Sequence, residues 1–129
     1  MKVTGLDGRS YQLRLVCGAS RQASTFHVRA RNLLETLFPF DPRHEEVSLP
    51  GSGGLTADFL LPRQRLVVET HGQQHYAFSL HFHGTERGFL DAKQRDRNKA
   101  RWCELNQFTY CELPHYEDDD QWRNRIVGH

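Results

Sequence analysis

Three side chains in one short stretch are of types and spacing that could do chemistry together: Asp58, Glu69 and His71. Asp58 stands inside an otherwise apolar run, Leu55 to Leu61, where a carboxylate is costly to bury unless it is paired or metal-bound. Glu69 closes the next apolar run, which begins at Leu66, and His71 follows two residues later. Strand residues two apart share a face, so Glu69 and His71 point the same way. Between the runs, Pro62-Arg63-Gln64-Arg65 makes a turn that lets them pair as a hairpin, bringing both carboxylates to one end of a sheet. Two hard oxygen ligands at one place suit Mg²⁺ or Mn²⁺, which uses one or two carboxylates plus substrate phosphate. Such an ion activates water and orients a phosphodiester. His71 could then serve as general base or general acid. Taken singly, each residue has a bland explanation: a salt-bridged aspartate, a strand-end glutamate, a structural or surface histidine.

The elements that must position this hairpin can be read from period and punctuation. Residues 1–16 form an N-terminal β-hairpin about the Asp7-Gly8 turn, with Tyr11, Leu13 and Leu15 alternating with polar residues. From Ser24 to Phe38 the period becomes helical: Phe26, Ala30, Leu33, Leu34 and Leu37 share a face, Ser24 or Thr25 caps the start, and Pro39 ends it. Glu35 lies beside that stripe and could look into a cleft. A short strand is expected at 46–49. Val67 and Val68 in succession mark a strand buried on both faces, hence a central one. Residues 77–89 are read as a mobile loop over the site. A helix follows over 91–105, with Asp96 one turn before Ala100 on the sheet-facing stripe. A last strand covers 108–113, and Asp118 to Asp120 open a final helix whose dipole favours them. Strands mixed with covering helices predict an α/β fold, a single compact domain with a central mixed β-sheet flanked by helices. Its parts are the N-terminal hairpin over 1–20, a core over 24–115 and the C-terminal helix over 117–129.

Length and composition set the bounds. At 129 residues, the chain supports one domain with a modest core. With 37% apolar and 26% charged residues, it is expected to be soluble and folded. No apolar run reaches the roughly 18 residues of a membrane span, and no leader peptide is evident. Three widely spaced cysteines, Cys17, Cys103 and Cys111, suit a reduced, cytoplasmic protein. Net charge is only +1, but Arg and Lys cluster at 21–31 and 93–101, a distribution that can hide a basic face.

Asp58 followed by Glu69-Thr70-His71 resembles the signature of the PD-(D/E)XK nuclease superfamily, with His71 where lysine usually stands. The run is similar to the very-short-patch-repair (Vsr) endonucleases and the EDxHD homing endonucleases. That pattern matches Glu35 on the first helix, Asp58, Thr70 with His71, and Asp96 on a later helix. His71-Gly72 and Arg95-Asp96 also resemble Vsr dipeptides. The resemblance covers roughly residues 24–115. It implies a restriction-endonuclease-like fold and a Mg²⁺- or Mn²⁺-dependent DNA phosphodiester hydrolase, of phage or mobile-element type, acting in the cytoplasm of a bacterial or phage-infected cell. Asp58 and Glu69 would bind the metal with the Thr70 carbonyl. His71 would stand near the attacking water, Glu35 and Asp96 would tune the centre, and His75 or Gln73 would touch phosphate. Arg29, Arg31, Arg87, Lys93, Arg95 and Lys99 would contact DNA, and a homodimer would supply two active sites for a double-strand cut. The pattern departs from Vsr in Ala57 before Asp58, in Gln73-Gln74 after Gly72, and in lacking a cysteine-rich zinc site. Two other readings remain. One is a non-catalytic DNA-binding module on the same fold. The other is a zinc-binding interaction domain built on His71, His75, His81, His83 and a cysteine, without the paired cysteines such sites usually show.

Overall fold

The computed structural model describes residues 1–15, 24–72 and 86–128. The N-terminal hairpin pairs β1 (Lys2–Thr4) with β2 (Ser10–Gln12) antiparallel. Helix α1 (Thr25–Leu37) starts on Ser24, whose hydroxyl accepts from the His27 amide at 3.1 Å. Three strands follow: β3 (His44–Ser48), β4 (Thr56–Leu61) and β5 (Leu66–His71). Helix α2 (Glu86–Leu105) leads to β6 (Thr109–Pro114) and then to α3 (Asp119–Val127). Asp118 caps α3 in a reciprocal capping box with Gln121.

Strands β3, β4, β5 and β6 lie in that order in one sheet. The first three are antiparallel meanders, and β6 joins β5 in parallel. A parallel neighbour requires a long crossover, which runs through 72–108 and includes α2. Among the described residues this is an α/β domain with a mixed four-stranded sheet and an N-terminal hairpin. As the double-valine run suggests, β5 is central, and Val67 and Val68 are both fully buried.

Each face of the sheet has its own core. Ala30 and Leu34 of α1, with Trp122 and Ile126 of α3, cover Phe59, Leu61, Val68 and Leu113. On the other face, Trp102 and Cys103 of α2 and Val3 and Leu13 of the hairpin cover Leu60 and Val67. The hairpin is tied down by Asn106, which accepts from the Thr4 amide at 2.7 Å and donates to its carbonyl at 2.9 Å. It also abuts the β3–β4 turn, where Gly51 has φ +75° and a Cβ would come 2.5 Å from the Gly5 Cα, so only glycine permits the approach.

Two boundaries differ from the sequence expectation in a way that matters for the site. Strand β5 runs on through Thr70 and His71 because β6 pairs with it there, Thr70 with Leu113 and His71 with Pro114. Helix α2 begins at Glu86, so 86–89 are helical rather than part of a loop. The remainder of the expected loop, 77–85, lies outside the described residues, as do Gln73 and His75.

Candidate functional site

The site forms on the α2 side of the sheet, where three strands contribute one carboxylate each. Phe59 pairs with Val68, so the next register step sets Asp58 beside Glu69, and Glu69 pairs directly with Glu112. Asp58 thus has Glu69 on one flank. On its other flank the register sets Glu46, whose φ of 50° lies in the left-handed region that a glutamate rarely adopts.

Asp58 is held by Thr70. Its Oδ2 accepts from the Thr70 amide at 2.9 Å and from the Thr70 hydroxyl at 3.0 Å. The strand pairing here is therefore made by a side chain instead of a backbone carbonyl. Because the N–H and C=O of one strand residue project to the same flank, the Thr70 carbonyl faces Asp58 as well.

Glu69 is 3% exposed and stands beside Asp58. Burial, and next the negative charge of Asp58, push its carboxyl well above the ordinary value of 4.5. Lys99 of α2 works against this, with its ammonium 2.9 Å from the Glu69 carboxylate. Even so, the protonated form of Glu69 is favoured beside Asp58.

His71 is 2% exposed, and its Nδ1 is 3.3 Å from Glu112 Oε2. The hydrogen bond from His71 holds Glu112 below the usual carboxylate range, against the effect of burial. Asp96 is buried on α2, and its charge acts on both Glu112 and Tyr110. Burial, reinforced by Glu69, Glu112 and Asp96, raises the Tyr110 phenol, which stays protonated. Burial likewise pushes the Cys103 thiol up to about 12, so it sits beneath Glu69 and Lys99 as an inert thiol.

Asp58, Glu69, Thr70 and His71 thus come together, and Asp96 lies within charge range of Glu112 and Tyr110. Glu35 does not join them. Helix α1 packs on the opposite face of the sheet, and Glu35 is a half-exposed partner of Arg43 at 3.0 Å. Arg29 and Arg31 are on that same helix and serve the fold rather than an open basic surface. Arg29 lies 3.6 Å over the Trp122 ring, bonds the Glu117 carbonyl at 2.6 Å and pairs with Asp119. Arg31 makes two 2.8 Å bonds to buried Glu45. Lys99 turns inward to Glu69. Arg87 is 86% exposed beside Asp91, Arg95 is exposed, and Lys93 lies 5.8 Å from the Phe89 ring centre. Sequence reasoning missed Glu112 and the inward role of Lys99. The alternation of Tyr110 with Glu112 did mark a shared face, but nothing in the sequence gives the parallel register that brings that face to His71.

The donor set can be tested against the expected cation. Among the described residues no group of three or more His, Cys, Asp or Glu is placed to hold a metal; His75, His81 and His83 of the zinc reading lie outside the described residues. Two adjacent carboxylates, one deeply buried, are the one or two protein ligands a hydrated Mg²⁺ takes. That number matches Mg²⁺ or Mn²⁺, while Lys99 already sits 2.9 Å from one of the two carboxylates.

No family model and no solved structure matches the chain. Among curated proteins it is similar to Uncharacterized protein 307L of Invertebrate iridescent virus 6, 38% identical over 69 residues, 54% of this chain and 35% of that protein. It is also similar to Uncharacterized protein 033L of Invertebrate iridescent virus 3, 35% identical over 103 residues, 76% of this chain and 53% of that protein. The chain spans about half or less of the length of these relatives. No described helix is long and apolar enough to cross a membrane.

Proposed function

We propose that this chain is a divalent-metal-dependent endodeoxyribonuclease of the PD-(D/E)XK type, similar to Vsr and EDxHD enzymes. The observation that carries the proposal is the pairing of Asp58 with buried Glu69 beneath Lys99, with His71 on the same strand. Asp58, Glu69 and the Thr70 carbonyl would hold Mg²⁺ or Mn²⁺, which when bound supplies Lewis-acid activation of water and charge neutralisation at phosphate. His71 would take the proton from the attacking water or return one to the leaving oxygen. Lys99 would place a fixed positive charge where negative charge grows during displacement. Asp96 would act on the centre through Glu112 and Tyr110, its neighbours in charge. The exposed arginines of α2, among them Arg87, Arg95 and Arg101, would meet the DNA backbone. A homodimer cutting both strands belongs to the same proposal, as does a viral or mobile-element setting, to which the two viral relatives lend support.

The alternative, a DNA-binding module that does not cut, draws on one observation: Lys99 already neutralises Glu69. Supercoiled plasmid incubated with Mg²⁺ or Mn²⁺ separates the two. Cutting by the wild type that is lost in Asp58→Ala and His71→Ala supports the nuclease. Retarded but intact plasmid, on mismatched and branched DNA as well, favours the binding module.

A further inference from the structure

We propose that Glu112 is the positioning residue for His71, fixing the imidazole as its Nδ1–H tautomer and leaving Nε2 as the basic nitrogen. The proposal rests on the reading that His71 handles a proton at this site, and it assigns a role to a strand outside the Asp58–Glu69 hairpin.

The geometry is specific. The Glu112 carboxylate is 3.3 Å from His71 Nδ1, on the ring edge nearest the backbone. His71 itself is pinned, since its carbonyl accepts from the His115 amide at 2.9 Å and its ring is almost wholly buried. Parallel pairing of Glu69 with Glu112 and of His71 with Pro114 sets Glu112 two residues before the partner of His71, on the same face. A carboxylate is an acceptor only, so it selects the tautomer with hydrogen on Nδ1. In a neutral imidazole the other nitrogen then carries the lone pair, which is the state a general base needs. A rim ion pair of no consequence would have neither effect.

Nitrogen-15 NMR of ring-labelled histidine in the metal-free full chain, at one alkaline pH, reads the tautomer directly, with His71 assigned by subtraction of His71→Gln. The proton should lie on Nδ1 in the wild type and in Glu112→Gln, whose amide oxygen still accepts. In Glu112→Ala a measurable share should move to Nε2. In parallel, DNA cutting by Glu112→Ala should fall about 10- to 100-fold in kcat with KM little changed, and Glu112→Gln should recover most of the loss. A wild-type proton on Nε2, or a ring pattern and kcat untouched in Glu112→Ala, overturns the assignment. If Glu112→Ala does not fold, the wild-type and Glu112→Gln spectra still decide it. If the wild type cuts no DNA, the nuclease reading fails while the spectra judge Glu112 by themselves.

Discussion

At the scale of single residues, charge pairs divide into those that shape the site and those that fasten the surface. Glu117 is of the second kind: Arg125 grips it with two nitrogens, the second at 2.8 Å, and that hydrogen bond lowers its pKa below the ordinary 4.5. A lowered carboxyl contributes stability that is fully present above the unfolded value and is lost as pH falls through the folded one. The loss should therefore begin near pH 4.5 and deepen in more acidic solution. Arg125 is partly exposed, which screens the pair and limits it to about 1 kcal/mol or less. Urea midpoints measured across that range should converge for wild type and Glu117→Gln at low pH and separate above it. Period-two spacing made Asp58, Glu69 and His71 legible in the sequence. Lys99 was legible as a cation on α2 but not as a buried one, because its target, Glu69, belongs to a strand whose distance from the helix no local pattern encodes.

At the scale of elements, α1 is fastened to β3 by a buried ionic cluster. Glu45 accepts from His27 at 2.7 Å and from Arg31, and Arg43 approaches at 3.6 Å. His27 is stacked on Phe59 with ring centres 4.3 Å apart. Removing Glu45 takes the buried carboxylate from His27 and half-buried Arg31 and leaves Arg43 with Glu35, so Glu45→Ala should cost about 3 kcal/mol in chemical denaturation. Glu45→Gln should cost less, because it keeps an acceptor. Helix and strand identities were readable from periodicity, since Ser24, Pro39 and the double valine are local signals. The face on which α1 packs was not readable. An apolar stripe says that a helix covers a sheet, not which side, and that ambiguity is what let Glu35 be grouped with Asp58. The early start of α2 was hidden for a similar reason: Gly88 and the aromatic Phe89 weaken the helical pattern of a turn that the rest of the helix extends.

At the scale of the whole molecule, the two faces of the sheet carry different work. The α1–α3 side holds a packed core and structural ion pairs, whereas the α2 side holds the carboxylate row beneath an exposed arginine-rich helix. Arg95→Glu and Arg101→Glu should therefore weaken DNA binding and flatten its dependence on salt, by about 0.9 in the logarithmic slope for each phosphate no longer neutralised. Arg29→Ala should leave that slope unchanged and lower thermal stability instead, since Arg29 is spent on Trp122 and Glu117. Fluorescence anisotropy at several salt concentrations distinguishes these outcomes.

The most direct measurement compares plasmid cutting in Mn²⁺ by wild type, Asp58→Asn and Glu35→Gln. Asp58→Asn should lose cutting by at least about 100-fold, the scale of a missing catalytic group, while Glu35→Gln should cut close to the wild-type rate because Glu35 lies on the far face. Wild-type cutting in Asp58→Asn, or loss confined to Glu35→Gln, would contradict the site described above.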